Sequence, residues 1–569
     1  MRSVMSWLML MLVCVVPVRG DGSLRATDLR CEMRRDPMGV EVASPRLGWV
    51  VESERRGAVQ SAYRVLVASS PQLLAEDRGD LWDSGRVASG ETAHIAYGGE
   101  APGSRQVCYW KVRAWDGEGE AGPWSAGARW EMGLLAAEDW EAEWIEAAAR
   151  PLEVRVVSAS YHTPDGGVSV DVTQRVADAV ARGERVVASN EAMGGDPAYG
   201  TPKVLSIVYE RLGRRYEVEV VEDGEAPVPP ASIPYLRRGF VSKGEVVRAR
   251  IHATALGVYE LWLNGDRVGD HELAPGWTDY RQRVQYQSHD VTAQVRQGAN
   301  TLGAVVAPGW FAGRAGLFHA RAYYGETPAL LAQLEITYAD GSREVIGTDG
   351  GWRWHDGPIL AADIMDGETF DARLALEGWC GATAAFEKSL RWQPVTTRKE
   401  QRTLRAQVDE PVRVLKEVET RAVTQPRPGV WVFDLGQNIV GVARLRVLEA
   451  EGTVLTIRHA EMLNPDGTVY TENLRGAAAT DRYICRGGGV ERWRPRFTFH
   501  GFRYVEVSGL SREPDAGTVT GVVLGSDLEP AGTFVCSDPR LNQLQSNIVW
   551  GLHGNYLSIP TDCPQRDER

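Results

Sequence analysis

The sequence has few cysteines, no excess of positive charge, and no long hydrophobic run after its first twenty residues. Seven cysteines in 569 residues are too sparse for a disulfide-stapled scaffold, although the sequence leaves one or two bridges open. A net charge of −13 removes the positive surface that binding to nucleic acid or to an anionic membrane needs. A membrane span needs about 20 apolar residues, so we predict no membrane insertion. These exclusions leave a neutral partner, such as a glycan, as a plausible one.

The first twenty residues have the features of a signal peptide. Arg2 gives a minimal positive start, Val4 to Val18 form an apolar run, and Val18 and Gly20 occupy the small-residue positions before a cleavage site. We therefore predict a signal peptide over residues 1–20 and a mature chain that begins at Asp21. Its predicted location is secreted or periplasmic.

Length and composition predict several β domains. A chain of 569 residues exceeds the roughly 250–300 residues at which a single core stops growing. The 61 glycines and 29 prolines suit turn-rich β structure. From residue 24 to 135, short alternating runs separated by turns predict a small sandwich. Within it, Tyr109 to Asp116 resembles the F strand of fibronectin type III domains.

Residues 151–229 interrupt this order of domains. They contain two β-rich runs, Val204 to Tyr209 and Tyr216 to Val221, and an acidic, proline-rich stretch follows these runs. Without them, Trp144-Ile145 would be a close neighbour of Leu236 to Phe240. We therefore predict a small β domain that is inserted into the domain that follows it.

Two later segments, residues 236–379 (with 140–150) and residues 405–525, carry phrases in a specific order. The phrases are Gly257 to Gly265, Leu273 to Tyr280, Pro308 to Trp310, Asp366 to Glu368, Phe433 to Asn438, Arg458 to Leu463 and Phe497 to Val505. Their order and spacing resemble those of the bacterial α-L-rhamnosidases of glycoside hydrolase family 78. The resemblance implies a jelly-roll domain at 236–379 and a β-sandwich domain at 405–525.

In some members of that family the jelly-roll domain binds rhamnose together with calcium. The resemblance therefore implies a carbohydrate-binding role for this domain, with Trp310 as a stacking face for the sugar and calcium as an accessory ion. The alternative is a purely structural domain, because no spacing of oxygen ligands for calcium is evident and tryptophan is a common core residue. Asn264 and Gly265 predict a tight hairpin turn. Catalysis in such enzymes requires no cofactor.

Three polar residues of the 405–525 segment invite comparison with a metal site. His459 and Glu461 have the spacing of one face of a strand, and His500 follows later in the chain. A third ligand next to the two residues of the strand is missing, so the sequence favours structural polar residues over metal ligands. We accordingly predict no metal site.

The pattern becomes helical near the C-terminus. Ser537-Asp-Pro supplies an N-cap and an early proline. Apolar residues then recur at steps of three and four: Leu541, Leu544, Ile548, Leu552 and Tyr556. This pattern predicts a helix with one apolar face, and by the resemblance residues 530–569 are the start of a truncated (α/α)6 barrel. The predicted fold class is thus mainly β, with several β-sandwich and jelly-roll domains in series before the first barrel helix.

The last eight residues, Asp562 to Arg569, concentrate three acidic and two basic side chains in a loop with Pro564. On charge alone such a loop is usually solvated surface. By the resemblance it is the signature of the catalytic pocket, in which Glu568 is the general acid and Asp562 and Arg566 bind the hydroxyl groups of rhamnose. An inverting enzyme also needs a second carboxylate about 6.5–9.5 Å away as the base. The resemblance places that base beyond Arg569.

Two functions of different classes follow. The first is the hydrolysis of terminal α-L-rhamnosyl residues from a glycan or a rhamnoside by an inverting acid/base mechanism, by a chain that is incomplete for that reaction. The second is a catalytically inactive carbohydrate-binding protein that is built from the same β domains. Both predict a partner that contains rhamnose.

Overall fold

The computed structural model describes residues 23–147, 154–182, 184, 186–211, 213–222, 224–226, 228, 233–315, 320–381 and 391–566. The predicted signal peptide lies outside these residues. The chain is mainly β, as the sequence predicts. It forms two compact units, Met1–Asp139 and Trp140–Arg569. No helix among the described residues has the length and apolar character needed to cross a membrane.

The first unit is a small β-sandwich. Its strands are β1 (Arg25–Cys31), β2 (Met38–Val40), β3 (Arg46–Glu52), β4 (Gln60–Ala68), β5 (Trp82–Asp83), β6 (Ile95–Ala96), β7 (Val107–Asp116), β8 (Ala121–Trp124) and β9 (Ala128–Met132), with helix α1 (Pro71–Ala75) and a 3-10 turn at Ala137–Asp139. One sheet has the order β1-β3-β6, and the other has β2-β9-β7-β4-β5 with β8 on β7. Trp49, Trp110 and Trp130 come from both sheets and share one core. The alternation of buried residues along β7 explains the period of two in the sequence.

The second unit begins with a long series of strands. These are β10 (Trp144–Ala147), β11 (Val154–His162), β12 (Ser169–Asp171), β13 (Val186–Val187), β14 (Val204–Arg211), β15 (Arg214–Val221), β16 (Glu225–Ala226), β17 (Pro234–Ser242), β18 (Val246–Leu256), β19 (Val258–Leu263), β20 (Asp266–Arg267), β21 (Arg283–Asp290), β22 (Gly298–Ala307), β23 (Ala329–Tyr338), β24 (Arg343–Gly347), β25 (Arg353–Asp356), β26 (Ile359–Asp363), β27 (Gly367–Asp371), β28 (Gln393–Arg398) and β29 (Thr403–Ala406). Short helices lie among them: α2 (Thr173–Ala181), α3 (Asn190–Met193), α4 (Gly309–Ala312) and a 3-10 turn at Ala372–Leu374.

Twelve of these strands form one sheet. Its order is β20-β19-β22-β17-β25-β28-β10-β23-β18-β21-β29, with β24 on β23. The early strand β10 pairs with β23 and β28, so chain on both sides of the 154–226 region enters this sheet. Asn264 and Gly265 both have positive φ, at 56° and 94°, and they connect β19 to β20 as the predicted tight turn.

Residues 154–226 form their own sheet of order β12-β11-β14-β15, covered by α2 and the β13–β16 pair. Tyr161, Tyr209 and Val176 lie in its core. Its outer contact with the rest of the unit includes the Tyr216 hydroxyl, which donates to Asp371 Oδ2 at 3.1 Å. The core of this region also includes Leu360 and Ile484.

The last sheet has ten strands. The strands that follow β29 are β30 (Val412–Glu419), β31 (Ala422–Arg427), β32 (Val430–Val447), β33 (Val454–Ala460), β34 (Met462–Leu463), β35 (Val469–Tyr470), β36 (Thr480–Ile484), β37 (Glu491–Trp493), β38 (His500–Ser508), β39 (Val519–Ser526), β40 (Tyr556–Leu557) and β41 (Ile559–Pro560), with 3-10 turns at Glu472–Leu474 and Ala516–Thr518. The order of the sheet is β26-β27-β36-β33-β38-β32-β39-β30, with β31 and β37 on β32. We call this the C-terminal sheet.

The C-terminal sheet crosses a boundary that the sequence places at residue 379. Strands β26 and β27, from residues 359–371, pair with each other, and β27 pairs with β36 rather than with the twelve-stranded sheet. Thr369 lies opposite Arg482 in a parallel ladder. A pairing between strands more than a hundred residues apart leaves no local pattern in the sequence.

Helix α5 (Pro539–Gly554) follows the C-terminal sheet. Asp538 caps it, because its carboxylate accepts from the Arg540 backbone N–H at 2.9 Å. The predicted apolar face is exposed rather than buried among the described residues, with Leu544 at 52% and Ile548 at 57%. Tyr556 lies beyond the helix in β40, so the helix is shorter than its apolar pattern.

The six cysteines among the described residues are free thiols. Cys31, Cys108, Cys380 and Cys485 are buried, and Cys536 and Cys563 are half-buried. The one or two disulfides that the sequence left open are therefore not formed by these six residues.

Candidate functional site

A short hairpin carries the chain from helix α5 into the acidic terminal loop. Leu557 is fully buried at its centre. The Ser558 backbone N–H donates to Ser526 Oγ at 3.0 Å, and the Ser558 hydroxyl donates to Asp409 Oδ2 at 2.7 Å. The Thr561 N–H donates to the Asn555 carbonyl at 2.8 Å and closes the hairpin. The position of the loop that follows is therefore fixed by the edge of the C-terminal sheet.

The two residues predicted to bind sugar hydroxyl groups are connected through one sulfur atom. The Cys563 thiol donates to Asp562 Oδ2 at 3.3 Å and accepts from Arg566 Nη2 at 3.0 Å. The Arg566 backbone N–H donates to the Cys563 carbonyl at 3.1 Å and makes a tight turn. Asp562 is exposed and Arg566 is half-buried. The loop thus presents a hydrogen-bond acceptor and a cationic donor side by side.

Cys563 was not among the residues that the sequence singled out. Burial raises the pKa of its thiol, the Asp562 carboxylate raises this pKa further, and Arg566 opposes both effects. The thiol therefore stays protonated near neutral pH and can donate to Asp562. The only sequence signal that Cys563 contacts both side chains was its position between Asp562 and Arg566, the two residues predicted to bind the sugar.

Strand β38 supports the loop from behind. A Cβ built on Gly501 would lie 2.9 Å from Gln565 Cβ and 3.0 Å from Gln565 N, which is closer than side chains normally approach. Only glycine allows the strand and the loop to meet in this way. The phrase Phe497 to Val505, which the sequence identified by resemblance, thus lies directly against the terminal motif.

Glu568, the predicted general acid, lies outside the described residues, as do Asp567 and Arg569. Of the predicted catalytic and sugar-binding residues in the terminal motif, Asp562 and Arg566 are described, and the structure brings them together. The predicted role of Glu568 remains a prediction.

Trp310 lies in the core rather than at an open surface. Its side chain is 1% exposed, and its ring stacks on Trp277 at 6.2 Å between centroids with an angle of 9° between the planes. Phe499 lies 6.5 Å from the same ring. A sugar would have to displace these neighbours, so the expected stacking face is occupied by protein. Tryptophan in a β core explains this residue, which corrects the prediction of a sugar platform.

The histidines considered as metal ligands have a different environment from the one that the sequence suggested. His459 and His500 lie together with Asp481, and all three are buried. Glu461 is apart from them and accepts from Asn438 Nδ2 at 2.8 Å. The partner that sequence reasoning missed was Asp481. Its signal was an acidic residue at an inward position of the alternating strand β36, two residues before buried Tyr483.

Four family models match the chain in succession. Residues 26–136 match the N-terminal immunoglobulin domain of Rha78A-like proteins, and residues 244–416 match the α-L-rhamnosidase N-terminal domain. Residues 424–525 match the bacterial α-L-rhamnosidase concanavalin-like domain. Residues 529–569 match the bacterial α-L-rhamnosidase six-hairpin glycosidase domain. The first of these is an immunoglobulin model, whereas the sequence suggested fibronectin type III.

Known proteins match nearly the whole chain. An α-L-rhamnosidase of Streptomyces avermitilis is 41% identical over 96% of this chain and 62% of its own length. An α-L-rhamnosidase of Formosa agariphila is 36% identical over 94% of this chain and 50% of its own length. The crystal structure of the Streptomyces avermitilis enzyme complexed with L-rhamnose superposes with a TM-score of 0.80 at 37% identity, over 96% of this chain and 62% of that one. The chain therefore spans between half and two thirds of these relatives.

Proposed function

Because this chain belongs to the bacterial α-L-rhamnosidase family, glycoside hydrolase family 78, we propose that it supplies part of an inverting α-L-rhamnosidase. The proposed reaction removes terminal α-L-rhamnosyl residues from glycans or rhamnosides. The observation that carries this proposal is the arrangement of Asp562, Cys563 and Arg566, inside a motif that matches the glycosidase domain of the family.

The proposed roles follow from the chemistry of the side chains. Glu568 protonates the glycosidic oxygen as the bond breaks, a task for a carboxylic acid that keeps its proton near neutral pH. Asp562 accepts hydrogen bonds from sugar hydroxyls, and the planar guanidinium of Arg566 donates to them. The Cys563 thiol holds both side chains in one orientation. We assign only the acid half of the mechanism to this chain.

A fusion protein tests the proposal with the chain intact. The full chain would be joined to the part of the Streptomyces avermitilis enzyme that the match does not cover. We expect it to hydrolyse rhamnosides and to release the inverted anomer, observed by NMR. Glu568→Gln should lower kcat on a rhamnoside with a poor leaving group by about 10²–10⁴-fold. The decrease in kcat should be smaller for nitrophenyl rhamnoside, because its leaving group needs little protonation.

Asp567→Asn is the matched control, since it removes a neighbouring carboxylate to which no role is assigned. It should leave the difference between the two substrates unchanged. Equal losses on both substrates in Glu568→Gln would instead make Glu568 a binding residue. A folded fusion without activity would favour the inactive carbohydrate-binding protein. Calorimetry of the full chain with rhamnose, with and without calcium, measures the binding on which that alternative depends.

We also propose export of the protein, to the periplasm or the outside of the cell. The support is the charged start, apolar run and small-residue cleavage site of residues 1–20. N-terminal mass spectrometry of the protein from the producing cell should find Asp21 as the first residue. Recovery of intact Met1 on exported protein would contradict the cleavage.

A further inference from the structure

Arg482 lies where the 154–226 sheet meets the C-terminal sheet. Along β36, the Tyr483 side chain belongs to the core of the C-terminal sheet, whereas Arg482 and Ile484 point to the opposite face. Ile484 is part of the core of the 154–226 region. The Tyr209 hydroxyl of that region interacts electrostatically with the Arg482 guanidinium. Arg482 itself is half-buried, so it lies at the border of this contact rather than inside it.

The guanidinium of Arg482 lacks a counter-ion. It makes no hydrogen bond and no ion pair with the residues that the structure describes. Burial lowers its pKa, and the charges of Asp481 and Glu219 oppose this effect without coming within ion-pair distance. Arginines that lose much of their water are normally paired, because an unpaired charge in such a place destabilises the fold.

Two acidic side chains on the same face of the sheet already have other partners. Asp371 of β27 accepts two hydrogen bonds from Arg373, at 2.8 and 2.7 Å. Glu506 of β38 accepts from Arg458 Nη1 at 2.8 Å. The strands around Arg482 therefore leave its charge uncompensated.

Two threonines flank Arg482 on this face. Thr369 of β27 and Thr456 of β33 lie opposite Arg482, one on each side of β36. Residues paired in this way project their side chains to one face at a separation of about 4.5–5.5 Å. Both threonines are half-buried, and neither hydroxyl has a hydrogen-bond partner in the described part of the chain. A ligand on the guanidinium can therefore form hydrogen bonds to both neighbours as well.

We propose that Arg482, flanked by Thr369 and Thr456, binds a carboxylate ligand. The planar guanidinium can donate two parallel hydrogen bonds to the two oxygens of a carboxylate. The single negative charge of a carboxylate balances the single charge of Arg482. A phosphate group carries up to about two negative charges, and Asp371 and Glu506 would repel the excess. The net charge of −13 likewise disfavours a ligand with many negative charges.

This site gives the inserted 154–226 region a role. The region supplies Tyr209 from one side, and the C-terminal sheet supplies Arg482 and the two threonines from the other. None of the four family models that match the chain covers residues 154–226. The site is therefore specific to the combination of this insertion with the sheet beside it. Binding of a carboxylate here does not depend on the proposed hydrolase activity.

Calorimetric titration of the full chain at constant ionic strength tests the proposal, with acetate and glucuronate as probes. We expect one carboxylate per chain, and Arg482→Gln should lower the affinity by at least about tenfold because it removes a charge-assisted pair of hydrogen bonds. Arg492→Gln is the matched control, since Arg492 is an exposed arginine on β37 of the same sheet. Tighter binding of glucuronate than of acetate would assign the carboxylate of an acidic sugar. Equal binding would assign the carboxylate group alone.

A charge change beside the site should act in the opposite direction. Glu219→Gln removes a negative charge that competes with the ligand, so it should tighten binding of both carboxylates. Weaker binding in Glu219→Gln would contradict the proposed position of the ligand.

The melting temperature of the free chain gives a second readout. Because an unpaired cation destabilises the fold, Arg482→Gln should leave the melting temperature unchanged or raise it. Glucuronate should raise the melting temperature of the unmodified chain but not that of Arg482→Gln.

Four results would overturn the proposal. The first is no saturable binding of either carboxylate, and the second is tighter binding of phosphate than of both. The third is equal affinity in Arg482→Gln and Arg492→Gln. The fourth is a lower melting temperature of Arg482→Gln without ligand, which would show that Arg482 has a partner within the protein.

Discussion

The C-terminal sheet and helix α5 place equally apolar side chains in opposite environments. Phe433 and Leu435 of the sheet are fully buried, whereas Leu544 and Ile548 of the helix are more than half exposed. Both elements have the periodicity that their structure requires. The comparison shows that periodicity identifies an element and its apolar face, but that burial depends on what lies opposite.

Helix α5 is nevertheless attached to the sheet through its other side. Trp550 packs against the core of the C-terminal sheet, and Gly554 lies close enough to Val440 that a Cβ would approach it to 2.9 Å. The helix therefore uses a narrow contact around these two residues, and no described residue covers its broad apolar face.

The largest effect should come from the sheet. Phe433→Ala removes a ring from a closed core and should lower the free energy of unfolding by about 3–5 kcal/mol, measured by urea denaturation. Leu544→Ala on the helix should change it by less than about 0.5 kcal/mol. Similar losses for the two variants would mean that the helix face is covered in solution.

The stability of the protein should depend on pH through a histidine next to the hairpin that follows α5. His271 and Ser558 line the same small pocket. Burial, together with the charge of Arg413, lowers the pKa of His271 to about 4. The unfolded ring takes up a proton near pH 6.5, so stability is complete above that pH and falls as the pH drops to about 4. The loss should be about 3 kcal/mol.

His271→Gln should remove this part of the pH dependence, as measured by thermal unfolding between pH 4 and pH 7. His162→Gln serves as the control, since its ring is hydrogen bonded in the separate 154–226 sheet. An unchanged slope in His271→Gln would show that the ring is already protonated in the folded protein.

A substitution at the contact between strand β38 and the terminal loop should cause the next largest loss of stability. Gly501→Ala would place a methyl group 2.9 Å from Gln565 Cβ and should cost about 1–3 kcal/mol by overpacking. Gly489→Ala is the matched control, because a Cβ there has open space. Hydrogen exchange should accelerate at 556–566 only in the first variant. Equal exchange in both would argue against the close contact.

The smallest effect should be local to α5. Asp538→Ala removes the N-cap and should lower the opening free energy of the first helical turn by about 1 kcal/mol, detected by hydrogen exchange. Ser537→Ala next to it should have little effect. Loss of the whole thermal transition in Asp538→Ala would contradict the view that the helix is a peripheral element.

Much of the architecture could be predicted from local patterns. The turn at Asn264-Gly265 and a capped helix start within Ser537-Asp-Pro were predicted from a few neighbouring residues, and alternating runs separated by turns predicted β structure. These features depend on short-range physics, such as the positive φ that Asn and Gly tolerate and the free N–H groups of a helix start.

Features that depend on distant pairing could not be predicted. The attachment of β26 and β27 to β36, and the convergence of Asp481 with His459 and His500, follow from the strand order of a complete sheet. The burial of Trp310 depends in the same way on Trp277 and Phe499. In the candidate site, resemblance identified Asp562 and Arg566, but the position of Cys563 between them did not by itself predict that its thiol contacts both side chains.

The absence of a side chain at Gly501 has a consequence for recombination between relatives. Where the strand meets Gln565, and again where Gly525 meets the His553 carbonyl at 2.7 Å from a built Cβ, main chain packs directly on main chain. Such contacts offer no side chain whose size could be adjusted to a new partner. A recombination point between residues 501 and 566 would combine the strand of one protein with the loop of another, so the two backbones would not match at this contact. Segments exchanged among these proteins should therefore carry the strand and the loop together.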